Sequence, residues 1–270
     1  MMASFKQMIA DKVMKRPDGR LLIQLDNIHV IEGHDLREDN ERNREADEKL
    51  FQFMMKGGKV PPLEVKERDE GGVWVIEGHR RRRGYLRCRE AGKPVDWIEV
   101  TQFKGNDVDG IARIFTSNNQ HKLSDYEKAI GIKKLDALNL TPDEIAEVIH
   151  ESRYVVDRLL EIAYADHKVQ QLVKEEAVSV GLALDRMKEN KAGAAETLTA
   201  DAEKAKRAGR KKATQGTATP QFSAKRARQL AELLYDAEFT TRDGRDSLLL
   251  RDGTKSDITN ILNEYRQFQN

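Results

Sequence analysis

The sequence predicts an α+β protein laid out in pieces: an N-terminal α/β domain, an all-α domain, a basic linker and a small C-terminal α/β segment. Three observations carry this expectation. Short apolar runs at Leu21–Val30, Val73–Ile76 and Trp97–Phe103 read as strands and are interleaved with helical patterns. From Ile111 to about Asn190 the apolar positions recur only at helical spacing. Between Lys191 and Pro220 a single leucine stands among Ala, Gly, Thr, Lys and Arg, too little to build a core.

In chain order, residues 1–20 read as a tail and 21–110 as the first domain. Ala46 to Lys56 carries Leu50, Phe53 and Met54 at helical spacing, and Gly57-Gly58 ends the helix. Val60 to Val65 restarts extended structure. Arg80 to Ala91 is a helix stopped by Gly92 and Pro94. In the helical domain, 111–190, two starts carry capping boxes: Ser124 with Glu127, and Thr141 with Glu144 behind Pro142. In each, the hydroxyl accepts from the amide three residues on while the carboxylate returns to the cap amide. After the linker, 191–220, helical periodicity resumes from Phe222 to Phe239. Leu248-Leu249-Leu250 then meets an Asp252-Gly253 turn, and Ile258, Ile261, Leu262 and Tyr265 line a last helix. A piece as short as 221–270 is marginal alone, so self-association would bury its apolar face.

The 270 residues are 34% charged with 47 Lys and Arg against 46 Asp and Glu, and mean hydropathy is −0.71, as expected for a soluble chain. No window approaches the ~18 apolar residues of a membrane span. The opening residues show no signal-peptide pattern, which predicts an intracellular protein. The lone cysteine, Cys88, excludes an internal disulfide framework and a Cys-based zinc site. The balanced charge conceals two basic clusters. Seven basic residues lie between Arg80 and Lys93 against Glu90 alone, and six between Lys204 and Lys212 with no acid. Such clusters suit a polyanion, or a solvated surface.

The sharpest local signal runs from Leu140 to Leu160. Ile145, Val148 and Ile149 would face inward on one helix, Ala146 would let a second helix cross closely, and Ser152 would cap that second helix. Its buried stripe is Val155, Val156, Leu159 and Leu160. Arg153, Tyr154, Asp157 and Arg158 are left outside on its early turns, where a helix-turn-helix presents side chains to the major groove. Arg153 and Arg158 could reach guanine edges or phosphates, and Tyr154 a phosphate. An ordinary antiparallel helix pair would show the same pattern, and His150 stands where many such turns carry glycine.

A second signal is Val73–Ile76 followed by Glu77-Gly78-His79-Arg80-Arg81: strand, glycine turn, then a helix start loaded with arginine. Glycine admits a close backbone approach, free amides at a helix N-terminus favour anions, and arginines can close on phosphate oxygens. A basic surface helix is the alternative.

These residues resemble the ParB-type partition proteins. Gly78-His79-Arg80-Arg81 after a strand is similar to the family's nucleotide-contacting Gly-Glu-Arg-Arg box. Asp35-Leu36-Arg37 sits where the family has Asn-x-Arg, and Pro62-Leu63-Glu64-Val65 resembles its Pro-Leu-x-Val. Thr116 to Ala129 resembles the box preceding the DNA-binding part, and Val173 to Ala183 the helix after the recognition helix. The resemblance spans Leu21 to Lys188 in the family's order. It implies the ParB/sulfiredoxin-like fold for the first domain and a homodimer that binds double-stranded DNA in partition. CTP and Mg²⁺ would switch it between an open state and a sliding clamp, with weak CTPase activity reopening it. By position, Arg37, Gly78, His79, Arg80 and Arg81 would hold the nucleotide, with Asn118 or Asn119 near metal and phosphates. Thr141, Ser152, Arg153, Tyr154 and Arg158 would touch DNA, and residues 222–270 would dimerise. The location implied is the cytoplasm, on a nucleoid or on phage or plasmid DNA.

The chain departs from the family in places. His79 replaces the box glutamate, and the later Glu-Asn pair reads Thr116-Ser117, or Ser117-Asn118 with a one-residue shift. This variant resembles ParB-like proteins of phages and mobile elements. The start lacks the short basic-leucine peptide that engages a ParA-type ATPase, leaving that partner open. Three alternatives remain: a helix-turn-helix transcription regulator without a nucleotide switch, a ParB-like nuclease, and a sulfiredoxin relative. A nuclease needs clustered carboxylates, and Glu64, Glu67, Asp69 and Glu70 read more simply as a solvated hairpin. The six histidines show no metal-ligand pairing. Sulfiredoxin chemistry needs a thiolate at the turn, where this chain has Gly78-His79.

Overall fold

A computed structural model describes residues 4–117, 121–218, 224–242 and 245–267. The first unit opens with α1 (Phe5–Ala10), whose first turn is capped by the Ser4 hydroxyl, and β1 (Met14–Lys15). Then come β2 (Leu21–Gln24), β3 (Ile28–Val30), α2 (Glu41–Met55), β4 (Leu63–Glu67), β5 (Val73–Glu77), α3 (His79–Glu90) and β6 (Trp97–Gln102). The strands form one mixed sheet in the order β1-β2-β6-β4-β5-β3. Pairing is antiparallel except between β3 and β5 and between β4 and β6. Period-two alternation puts Leu63 and Val65 of β4, Val73 and Val75 of β5, and Ile98 and Val100 of β6 into one core with Ile23 and Ile28.

Two sequence expectations change here. The run Leu21–Val30 is two strands, not one: a turn at Leu25–Asn27 breaks it, so β2 pairs with β6 and β3 with β5. Asp26-Asn27, a turn-forming pair inside the apolar run, supplies the break. The segment read as a tail is part of the domain, because β1 extends the sheet and Met8 and Met14 are buried in its core.

The helical unit comprises α4 (Asp107–Thr116), α5 (Asp125–Ala137), α6 (Pro142–Ile149), α7 (Arg153–Ala163), α8 (His167–Lys174), α9 (Val180–Glu189), α10 (Ala194–Arg207) and the short α11 (Gln215–Ala218). Both expected capping boxes form, and Asn106 with Asp109 makes a third at α4. The core joins Ile132 and Leu135 of α5, Ile145 and Ile149 of α6, and Val156, Leu159 and Ile162 of α7. A small seam of Leu36, Ile114 and Leu123 lies between the two units.

The described part of the stretch read as a linker, residues 191–218, is not structureless. α10 packs on α8 and α9, burying Ala194, Ala195, Leu198 and Ala205. Alanine is the best helix former, and its small side chain permits close packing while burying little area, which is why counting large apolar residues overlooked this helix. The chain then returns to the start of α9: the Ser179 amide donates to the Ala213 carbonyl at 2.9 Å, and the Ala213 amide to the Ala177 carbonyl at 2.8 Å.

The last segment has α12 (Ala224–Leu234), a hairpin of β7 (Glu238–Arg242) and β8 (Arg245–Leu249), and α13 (Thr254–Gln267). The helical reading to Phe239 stops short, since Phe239 lies in β7 opposite Leu248. Tyr235 and Phe239 are 86% and 87% exposed. Among the described residues no helix is long and apolar enough to cross a membrane.

Candidate functional site

The β5–α3 turn builds the candidate ligand pocket. Gly78 has φ 105°, and a Cβ there would meet Leu63 Cδ2 at 2.6 Å, so both conformation and space require glycine. No side chain caps α3, which leaves its first amides and its positive dipole end facing a cavity of about 310 Å³. Asp35, Arg37, Gly78, His79, Arg80, Arg81, Ser117 and His121 line it. Two buried polar atoms there lack any hydrogen-bond partner: His79 Nε2 and Ser117 Oγ. Unpaired buried polar groups cost free energy, so each is a ready contact for a polar ligand.

Four of the sequence-derived nucleotide residues described in full therefore share this cavity with Arg37. Asn118 and Asn119 lie outside the described residues. The arginines are not a bare positive face. Arg80 Nε donates to Asp47 at 2.6 Å, and Arg81 donates to the Pro61 and Pro62 carbonyls at 2.7 and 2.5 Å and pairs with Glu77. Arg83 bridges Asp35 and Asp47 at 2.5 and 3.1 Å, while Arg87 and Arg89 pair with Glu48 and Asp26. The cluster read as a charged surface is thus largely tied to α2 and the sheet.

His79 stacks on His34, ring centroids 5.4 Å apart. Burial, aided by His34, Arg83 and Arg82 and opposed by Asp35, pushes its pKa down to about 4. The ring is neutral near pH 7 and presents an unsatisfied nitrogen to the pocket without adding charge. His121, pushed to about 4 by burial and by Arg37, Arg80 and Arg42, bonds Asn43 Oδ1 through Nε2 at 2.7 Å.

Beneath the pocket, Glu127 ties the two units together. Its carboxylate is fully buried and accepts from the Glu38 amide at 3.0 Å, Asn43 Nδ2 at 2.6 Å and the Ser124 amide at 2.7 Å. Arg37 Nη1 lies 3.5 Å from it and donates to the Lys122 carbonyl at 3.0 Å, while Nη2 donates to the His121 carbonyl. Sequence reasoning named Glu127 as half of a capping box and Ser117 only as a departure within the Thr116–Ala129 box, and it singled out neither His121 nor Asn43 as a pocket-side group. Their signal is three-dimensional, because Asn43 and Glu127 are 84 positions apart.

The second candidate surface is α6–α7. Thr141 and Ser152 cap the two helices: the Glu144 amide donates to Thr141 Oγ1 at 3.4 Å and the Val155 amide to Ser152 Oγ at 3.3 Å. His150 takes the left-handed conformation, φ 56°, that closes α6. Arg153 pairs with Asp143 and Asp157 at 2.6 and 2.8 Å, which holds the start of α7 beside the first turn of α6. Tyr154 is 67% exposed, with the Arg158 guanidinium 5.2 Å from its ring centroid.

Over 139 residues the chain is 30% identical to a probable chromosome-partitioning protein ParB of Vibrio cholerae. Over that stretch the chain is similar to ParB. That match takes in 51% of this chain and 46% of the relative, so it spans under half of the relative's length. No protein-family model matches. Two solved structures of C-terminally truncated ParB from Caulobacter crescentus also align. One, complexed to the centromeric parS site, gives TM-score 0.44 at 20% identity over 70% of this chain and 92% of that one. The other, complexed with CTP-γ-S, gives 0.32 at 17% over 68% and 97%.

Proposed function

We propose that the chain is a ParB-like, sequence-specific DNA-binding protein that acts as a CTP-dependent clamp in partition of a phage, plasmid or chromosome. The observation that carries the reading is the cavity at the α3 N-terminus, with free amides, arginines and two unpartnered buried polar atoms converging on it. That set fits a polyphosphate. The family resemblance supplies CTP as the nucleotide and Mg²⁺ as its ion.

The chain's own residues suggest how such a switch works. A phosphate at the α3 start would compete with Asp47 for Arg80 and with Glu77 for Arg81. His79 Nε2 and Ser117 Oγ would gain the partners they lack. Because Arg37 lines the cavity and also grips the His121 and Lys122 carbonyls and Glu127, a shift at the pocket reaches the start of α5. α5 packs on α7, whose Arg153, Tyr154 and Arg158 would meet the DNA with Thr141 and Ser152 at the helix starts. Residues 221–270 would pair with a second copy, and a ParA-type ATPase remains a candidate partner.

A regulator without a nucleotide switch is the second reading. It is favoured by one observation: Arg80 and Arg81 already have partners within the chain. Retention on DNA separates the two. A clamp stays on closed circular DNA through a salt challenge when CTP is present and is lost on linearisation. A simple regulator dissociates equally from both, with or without CTP.

A further inference from the structure

The basic stretch beyond α10 was the one sequence motif that neither the pocket nor α7 absorbed. We propose that Arg210, Lys211 and Lys212 form a second contact to the phosphate backbone of duplex DNA, flanking the α7 surface. The inference rests on the DNA-binding reading above and extends it to a segment that sequence alone assigns to a linker.

Three observations place it there. First, the segment is docked: Ala213 is bonded to Ala177 and Ser179 just ahead of α9. Second, the docking site adjoins α7. A Cβ on Gly181 of α9 would lie 3.4 Å from Arg158 Nη2 on one side and 3.3 Å from Gln215 Oε1 on the other. Gln215 follows Lys212 by three positions and also binds Asp185, so the chain just past the basic stretch and the guanidinium of Arg158 approach the same glycine. Third, the charge is unspent. Arg210 and Lys211 are exposed, Lys212 is half-buried, and among the described residues none of the three makes an ion pair.

Compensation of the helix dipole explains Lys204, Lys206 and Arg207, which sit in the last turn of α10, and Arg207 pairs with Glu203 at 3.3 Å. It does not explain the three residues after it. They lie past the α10 C-cap, beyond Gly209 at φ 70°, where they no longer follow the helix. Three cations without ion pairs, a few residues from a contact shared with Arg158 of the proposed DNA-facing helix, suit a polyanion with regularly spaced charges. Each phosphate neutralised releases condensed counterion, so the contact would steepen the salt dependence of binding without adding sequence preference.

The experiment uses the full-length protein and a duplex from its own locus, with affinity measured across a salt series. The test variant is Arg210→Gln/Lys211→Gln/Lys212→Gln. The control, Lys6→Gln/Lys49→Gln/Lys104→Gln, removes equal charge from exposed positions elsewhere. We expect the slope of log K against log salt to flatten by roughly 2–3 for the test variant, about 0.9 per lost phosphate contact, and not for the control. Affinity at moderate salt should fall tenfold or more for specific and nonspecific duplex alike. Bound duplex should also protect Lys211 and Lys212 of the wild type from amine acetylation. Normal wild-type binding with equal slopes in both variants, or no protection, overturns this inference alone. A wild type that binds no duplex at low salt overturns the DNA reading with it.

Discussion

Replacing Glu127 by alanine should be among the most damaging single changes in the molecule, although the residue touches neither candidate ligand. The carboxylate is completely buried and meets three donors within 3.0 Å, with the largely buried Arg37 guanidinium at 3.5 Å. Removing one partner of a buried ion pair typically costs about 3–5 kcal/mol, because the other charge is left uncompensated. The unmet Glu38, Asn43 and Ser124 donors would each add up to ~1–3 kcal/mol if no water entered, so the lower figure assumes relaxation. At a urea dependence of about 2 kcal/mol per molar, the expected midpoint shift is about 1.5–2.5 M. Chemical denaturation followed by far-UV circular dichroism measures it. Glu127→Gln keeps an acceptor for the Ser124 amide and should lose less. A Glu127→Ala midpoint within ~0.3 M of wild type would refute the assignment of this carboxylate as the tie between the two units.

Other expectations follow from the same geometry. Arg81→Ala should abolish nucleotide binding while sparing initial DNA recognition, whereas Arg153→Ala should do the reverse, weakening DNA binding by about 1–3 kcal/mol if it reads a base; equal damage to both activities in both variants would contradict two separate sites. The His79 imidazole is held near 4 when folded against an ordinary value of 6.5. The unfolded chain therefore binds more protons between those values, and stability should be full above about pH 6.5 and fall as pH drops towards 4. The corresponding loss is about 2–3 kcal/mol for this group, and a His79→Gln protein with an equally steep decline in thermal midpoint would count against it. Leu198→Ala should cost ~2–5 kcal/mol, measured as above, because Leu198 is fully buried on the inner face of α10; a neutral effect would restore the linker reading of that stretch.

Much of the architecture was legible because local chemistry and tertiary structure agree. Ser124–Glu127 and Thr141–Glu144 announce two helix starts, Gly78 announces a turn that only glycine fits, β5 announces itself as a short apolar run and β6 by alternation. The failures share a cause. α10 is held by alanines, whose packing a search for large apolar residues does not register. The split of Leu21–Val30 depends on which strands lie alongside, which the run itself does not encode. At the site, residue types at the β5–α3 turn were readable, but the partners of Arg80, Arg81 and Arg37 were not. Charge composition suggested a bare basic helix, whereas the fold spends most of that charge on Asp35, Asp47, Glu48 and Glu77. His79 read as a substitution in a box; only its burial and its stack on His34 show a neutral ring with a free nitrogen.

The central claim is that the cavity at the α3 N-terminus holds CTP. Equilibrium binding of CTP, ATP, GTP and UTP to the purified protein with Mg²⁺, with and without DNA from its own locus, tests it most directly. The account predicts saturable, selective CTP binding that Arg81→Ala removes. Intact DNA binding with no affinity for any nucleotide would contradict it, leaving Gly78 to Arg83 as a structural turn and the regulator reading in its place.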